Sequence, residues 1–257
     1  MGKDLTILFL SCDKYRDLWE PLLYCFRKYW KDCPYAVRLG SNTVSTRKIQ
    51  TILSGPDKDW SSSLQTILKH IDTPYVFLWL DDIFPVSRVN TQDFRAALDF
   101  MKKSKAKHIH AMPAPRPDTL TADGRFGIYD KGAPYRATSV GFWDISYLKK
   151  LLIPGESPWN FEIMGSYRTK FSNGFYCCMK PLFERIHVVE KGQIFQDAYE
   201  YCQTHRIPLS VTKRSILTNT FYLKSELQKA YFNAVIKVPW KIRVFLMDIL
   251  RRLTISY

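Results

Sequence analysis

The chain has 257 residues, 46% hydrophobic and 24% charged, with 38 Lys and Arg against 24 Asp and Glu for a formal net charge of +14. Such a composition excludes a disordered chain and suffices for one large domain with an appendage, or two small ones. The positive balance favours polyanionic partners (nucleic acid, anionic lipid or phosphorylated ligands) without choosing among them.

The N-terminal stretch MGKDLTILFLSCDKYRD carries only a short apolar run, preceded by acidic Asp4, so it reads as a first strand and not as a signal peptide. Leu5 to Ser11 is a buried strand by its length and continuous apolarity. A helix follows from about Arg16 to Trp30, where Leu18, Leu22, Leu23, Phe26 and Trp30 recur at three-to-four spacing. YAVRLGS is a second strand. DWSSSLQTILKHI opens another helix, with Ser61 to Ser63 offering N-cap hydroxyls. YVFLWL, Tyr75 to Leu80, is a third strand and runs straight into Asp81 and Asp82. TQDFRAALDFMKK is a helix, and KHIHAMP a fourth strand on which His108 and His110 share one half-buried face. This alternation predicts an α/β domain with a largely parallel sheet flanked by helices, and such sheets bind ligands at the carboxyl ends of their strands. Ser11, Cys12, Asp13, Asp81 and Asp82 all fall at such ends.

APRPDTLTADGRFGIYDKGAPY is rich in Gly, Pro, Asp and Thr and reads as a long loop or hairpin insertion over the sheet edge. Regular structure resumes with YRATSVGFW and DISYLKKLL. The six cysteines, Cys12, Cys25, Cys33, Cys177, Cys178 and Cys202, include no C-x-x-C pair, which argues against a zinc ribbon and for reduced core thiols. No stretch reaches ~18 uninterrupted apolar residues, so no transmembrane helix is expected. From Lys224 to Tyr257 there are seven basic and two acidic residues. VPWKIRVFLMDILRRL reads either as a basic amphipathic helix on an anionic membrane surface or as a helix packing its apolar side on the domain with a solvated basic face. The expected division is a catalytic unit over 1–215 and a helical extension over 216–257.

Several residues could carry chemistry. Asp81 and Asp82 at a strand end suit Mg²⁺ or Mn²⁺ bridging to a diphosphate, or simply a turn. On an extended strand they would point to opposite faces. Glu162, in ESPWNFEIMGS, is a carboxylate on an otherwise apolar segment, either a general base with a raised pKa or a surface residue of a helix. In SCDKY, Asp13 and Tyr15 could bond to and stack on a nucleobase, or form a helix entry turn. In ERIHVVEKGQ, His187 is a late metal ligand or a structural histidine, and Lys191 a phosphate contact. There is no G-x-G-x-x-G, P-loop or G-x-S-x-G pattern.

Together these segments resemble a glycosyltransferase of the GT-A type, and most nearly the bacterial enzymes that build surface polysaccharides. The likeness is carried by LTILFLSCDKYRDLWEPL, DWSSSLQTIL, YVFLWLDDIFP, YRATSVGFWDISYLKKLL, ESPWNFEIMGS and IHVVEKGQ, in that order, over roughly Leu5 to Arg206. It implies a Rossmann-like sheet with a nucleotide-sugar donor over the carboxyl ends of the first strands. Ser11, Asp13 and Tyr15 would face base and ribose, and Asp59, Trp60 and Ser61 a second donor-side element. Asp82, with Asp81, would hold a divalent cation (Mn or Mg) or the donor sugar, with His187 as a further metal ligand. Glu162 would be the base of an inverting transfer to a lipid-linked saccharide acceptor. The implied location is cytoplasmic, peripheral on the inner face of the membrane through the basic tail. One departure is that the chain has Asp-Asp-Ile where the family has Asp-x-Asp, which bears on metal dependence. The rival readings are a nucleotidyltransferase, which lacks its glycine-rich loop here, and a non-catalytic nucleic-acid or membrane-surface binding protein. No compact nucleic-acid recognition motif is present, so no nucleic-acid partner is expected.

Overall fold

The computed structural model describes residues 4–217, 234 and 237–246. The first half of the chain forms β1 (Leu5–Leu10), a 3-10 turn (Asp13–Leu18) running into α1 (Trp19–Tyr29), β2 (Ala36–Ser41), β3 (Thr51–Leu53), α2 (Trp60–Leu68), β4 (Tyr75–Leu80), β5 (Ile83–Pro85), α3 (Thr91–Ser104) and β6 (His108–His110). The second forms β7 (Thr119–Leu120), β8 (Phe126–Ile128), β9 (Gly141–Asp144), α4 (Ile145–Leu151), α5 (Pro158–Arg168), β10 (Phe175–Cys178), β11 (Arg185–His187), β12 (Val189–Glu190), β13 (Gln193–Phe195), α6 (Gln196–Thr204) and β14 (Ile216–Leu217).

Nine strands make one sheet in the order β3-β2-β1-β4-β9-β6-β10-β8-β7. β3, β2, β1 and β4 are all parallel, which puts their carboxyl ends along one rim. β9 runs antiparallel between β4 and β6, and β10 lies parallel to β6. The expected α/β sheet flanked by helices is present, and the glycine- and proline-rich insertion is the β7–β8 hairpin that closes the far edge. Two small sheets, β11 on β5 and β12-β13-β14, stand beside the rim.

Strand alternation explains why the central strands are largely apolar. On β4, Phe77 and Trp79 enter one core layer and Val76 and Leu78 the other. On β1, Leu5, Ile7 and Phe9 share the first layer, and Leu8 and Leu10 the second. Helices cover both faces, so both parities are largely apolar, and the one polar residue of β1, Thr6, is hydrogen-bonded to Thr73. The first layer is aromatic: Trp79 meets Phe9 at 5.6 Å and stacks on Phe183 at 4.1 Å. Offset and edge contacts of this kind add to the area buried.

Four local readings change. The first helix begins as the 3-10 turn and becomes α-helical only at Trp19. Asp59, not a serine, caps α2, accepting from Ser62 N at 2.8 Å. His108 and His110 are buried outright, because β6 lies inside the sheet with neighbours on both sides. Ile216 and Leu217, assigned to the extension, pair with β13.

In the described part of the tail, Arg243 turns inward and its guanidinium meets Asp118 at 2.6 Å, with both side chains about 4% exposed. Val244 is buried beside it, whereas Ile242, Phe245 and Leu246 face outward. The described segment thus buries one charged and one apolar residue, Arg243 and Val244, and exposes Lys241 beside three apolar ones. The rest of the expected tail helix, 218–233, 235–236 and 247–257, lies outside the described residues. No helix among the described residues is long and apolar enough to cross a membrane.

Candidate functional site

The carboxyl ends of β1 and β4 open into a cleft of about 770 Å³. Its floor is Ser11, Cys12, Asp81 and Asp82; Trp60, Trp159 and Glu162 form one wall; Arg185, His187, Glu190 and Lys191 form the other. Pro113 to Arg116, Tyr135 and Thr138 to Val140 complete the rim.

Asp81 and Asp82 sit in the tight turn between β4 and β5. Trp79 Nε1 donates to Ile83 O at 2.7 Å and Val188 N to Asp82 O at 2.8 Å, fixing the turn from both sides. In this turn the two carboxylates go to different partners. Asp81 is buried and accepts a short hydrogen bond from Ser11 Oγ, which in turn accepts from Trp19 Nε1 at 2.6 Å. Burial and the neighbouring Asp82 charge push the Asp81 carboxyl well above the usual range. Asp82 Oδ2 lies 2.8 Å from His187 Nε2, while its Oδ1 is buried without a partner among the described residues. Burial alone would lower the His187 pKa, but the bond to Asp82 outweighs it and raises it.

The expected metal set of Asp81, Asp82 and His187 is therefore not assembled as three ligands. Asp81 is turned to Ser11, and His187 engages Asp82 through Nε2. Among the described residues no group of three His, Cys, Asp or Glu is arranged to hold a metal ion.

Glu162 stands on α5, which starts at Pro158 with Ser157 as its cap. Its Oε1 accepts from Ser139 N at 3.0 Å and Ser139 Oγ at 2.7 Å. Both bonds fall on one oxygen, Oε1, and the residue lines the cleft. Burial raises the Glu162 pKa, and the Ser139 bonds only temper the rise. Gly141 positions Ser139: its φ of +146 is outside the comfortable range of other residues, and a Cβ there would meet Ile109 O at 2.4 Å. The segment 135–140 thus leaves the sheet toward the cleft.

The donor-side candidates divide. Ser11, Tyr15, Trp60, Asp81, Asp82 and Lys191 line the cleft. Asp13, Asp59 and Ser61 stand behind it. Asp13 accepts from Ser41 Oγ, Thr43 N, Thr43 Oγ1 and Val44 N between 2.5 and 3.1 Å, tying the end of β1 to the end of β2. Burial opposes those bonds, yet they hold its pKa down to about 2. Asp59 is occupied in capping α2, and Ser61 is buried. Lys191 and Gly192, with φ of 50 and 84, make the two-residue turn joining β12 to β13.

Three functional positions were not legible from local sequence. Ser139 had no motif. Arg185 carried no pattern beyond lying two residues before His187. Arg214 holds Asp17 with two bonds of 2.7 and 2.9 Å and lays its guanidinium 4.3 Å over the Tyr15 ring, a contact across 200 residues that no local pattern announces. All six cysteines are free; Cys25, Cys177, Cys178 and Cys202 are buried, while Cys12 faces the cleft.

No family model matches the chain, and no curated protein matches it by sequence. Among solved structures it is similar to S. aureus TarS, with 11% identity, a TM-score of 0.45 and coverage of 68% of this chain and 36% of that one. It is also similar to M. tuberculosis glucosyl-3-phosphoglycerate synthase in complex with phosphoglyceric acid (11% identity, TM-score 0.44, 74% and 73% of the two chains). A third is the galactosyltransferase LgtC with donor and acceptor sugar analogs (10% identity, TM-score 0.40, 93% and 99%). The chain thus spans about a third of the length of TarS.

Proposed function

We propose that the chain is a nucleotide-sugar-dependent glycosyltransferase of the GT-A type. The observation that carries this reading is the cleft itself. It opens at the carboxyl rim of a parallel β3-β2-β1-β4 sheet and sets a buried, proton-hungry carboxylate, Glu162, in one wall with a basic wall in the other. Ser11, Tyr15, Trp60, Asp82 and Lys191 are the donor-facing residues. Asp13 and Asp59 support the rim from behind.

Glu162 Oε2 takes the proton of an acceptor hydroxyl. The hydroxyl oxygen attacks the anomeric carbon in line, the bond from that carbon to the diphosphate oxygen breaks, and the nucleoside diphosphate leaves with the electron pair. The product has inverted anomeric configuration. Fixed charges in the cleft stabilise the departing diphosphate. As arranged, Asp81, Asp82 and His187 do not fit a three-ligand metal centre, and no step passes through one.

For the acceptor we favour a lipid-linked saccharide of bacterial surface polysaccharide synthesis, with the chain peripheral on the inner face of the cytoplasmic membrane. Outward-facing Ile242, Phe245 and Leu246 among exposed Lys237 and Lys241 support this, since basic residues interleaved with apolar ones suit an anionic interface.

Glu162→Gln keeps the side chain's shape and its bonds from Ser139 but removes the base. Turnover should fall about 10²–10⁴-fold, while donor affinity stays within about twofold. Near-wild-type turnover would remove Glu162 from the role.

A further inference from the structure

Arg185 is a cleft residue to which the reading above gives no task. It opens β11, lines the cleft, and has its Nη1 buried with no hydrogen-bond partner among the described residues. A buried charged donor left unmade is costly, so such a group in a cleft points to a ligand that completes it. Strand alternation puts Arg185 and His187 on the same face of β11, whose pairing with β5 fixes both beside the acidic turn. Arg185 is within electrostatic reach of Asp82 and of His110.

The acidic turn meanwhile is spoken for. Asp81 is engaged by Ser11, and Asp82 by His187 at 2.8 Å, so a divalent ion bridging Asp82 and His187 would have to break that bond. What the turn offers a ligand is Asp82 Oδ1, a buried acceptor without a donor. The ligand that satisfies both orphans carries anionic oxygens toward Arg185 and a hydroxyl toward Asp82. A planar guanidinium presents a fork of donors that matches phosphate oxygens, which a lone ammonium cannot reproduce.

We propose that Arg185 is the diphosphate-binding residue of the cleft, and that its guanidinium neutralises the diphosphate without a divalent cation. The identity of the nucleotide and sugar rests on the transferase reading, whereas the anion site does not. Lys191, on the same wall, lies at the cleft mouth and adds a point charge.

The test is equilibrium titration of the full chain with inorganic pyrophosphate, followed by calorimetry or ³¹P NMR, in EDTA and in Mg²⁺ or Mn²⁺. Wild type should bind in EDTA, with affinity changed less than about threefold by either metal. Arg185→Gln should lose about ten- to a hundredfold in affinity, the range expected for hydrogen bonds to a charged group. Arg185→Lys keeps a cation in the same slot and should fall between the two, and it covers the case in which the glutamine variant does not fold. Binding that appears only with metal, or variants that bind as wild type does, would overturn the assignment. The two readings fail separately. Metal-free pyrophosphate binding without sugar-nucleotide turnover would sink the transferase alone, and turnover with strictly metal-dependent binding would sink the Arg185 site alone.

Discussion

The carboxylates of the cleft, Asp81 and Asp82 on its floor and Glu162 in its wall, are held in different ways. At the β4–β5 turn, Asp81 and Asp82 are engaged by Ser11 and His187, and the charge of one acts on the other. Across the cleft, Glu162 has one oxygen, Oε1, held by Ser139. A carboxylate enmeshed in donors and cations is an orienting or binding group. A carboxylate in apolar surroundings with few donors is one that will accept a proton. Burial raises the pKa of Asp81 as it does that of Glu162, so the carboxylate that contrasts with Glu162 as a binding group is Asp82, which is held by His187.

Substitutions can sharpen or break that contrast. The largest effect after loss of the Glu162 carboxylate is expected from Asp82→Asn. It removes the anionic partner of His187 and replaces one of the two carboxylate acceptors with an N–H donor, and donor affinity should drop about tenfold or more. The His187 pKa should fall back toward its ordinary value, which NMR titration of the imidazole would read. The sign follows from the raised pKa. The Asp82–His187 pair contributes below the usual histidine range and is lost as pH rises through the raised value. If the His187 titration does not move in the variant, the pair is not what raises it.

Ser139→Ala should act in the opposite sense, on the wall. It removes one of two donors to Oε1 that temper the rise in the Glu162 pKa. The acid limb of the pH–rate profile should shift to higher pH, because the buried carboxylate loses one of the bonds that favour its charged form. An unshifted limb with normal folding would mean that a group other than Glu162 titrates there.

The smallest effect lies behind the acidic floor. The Asp13 pKa is held at about 2, so its stabilisation is complete above the ordinary Asp value near 4 and is lost as pH falls from there toward 2. Asp13 is largely solvated, so screening reduces this to about 1 kcal/mol or less. Acid unfolding of Thr43→Val should begin at higher pH than that of wild type. Coincident acid transitions would contradict the assigned hydrogen bonds.

The contrast between floor and wall also explains what was legible in the sequence. LTILFL and YVFLWL declare themselves because both faces of the central strands are covered, and the acidic pair declares where β4 ends. Glu162 was legible as a lone carboxylate on an apolar segment. The three-residue β3 and β11 were not, because such short strands are defined by the partner they pair with and carry no pattern of their own. Ser139 and Arg214 act across 23 and about 200 residues, and the folded chain alone brings them to Glu162 and Tyr15. The reading of Asp81, Asp82 and His187 as one metal set came from the resemblance. The turn geometry, which sends the two aspartates to different partners, could not be read from two adjacent letters.

The most direct test of the account is a thermal-shift panel of nucleotide sugars and nucleoside diphosphates, each with Mn²⁺, Mg²⁺ or EDTA. A ligand that binds only the folded chain raises its melting temperature. The account predicts a rise confined to the nucleotides of one base, largest for one sugar nucleotide, and retained in EDTA. No rise with any nucleotide, with or without metal, would contradict it.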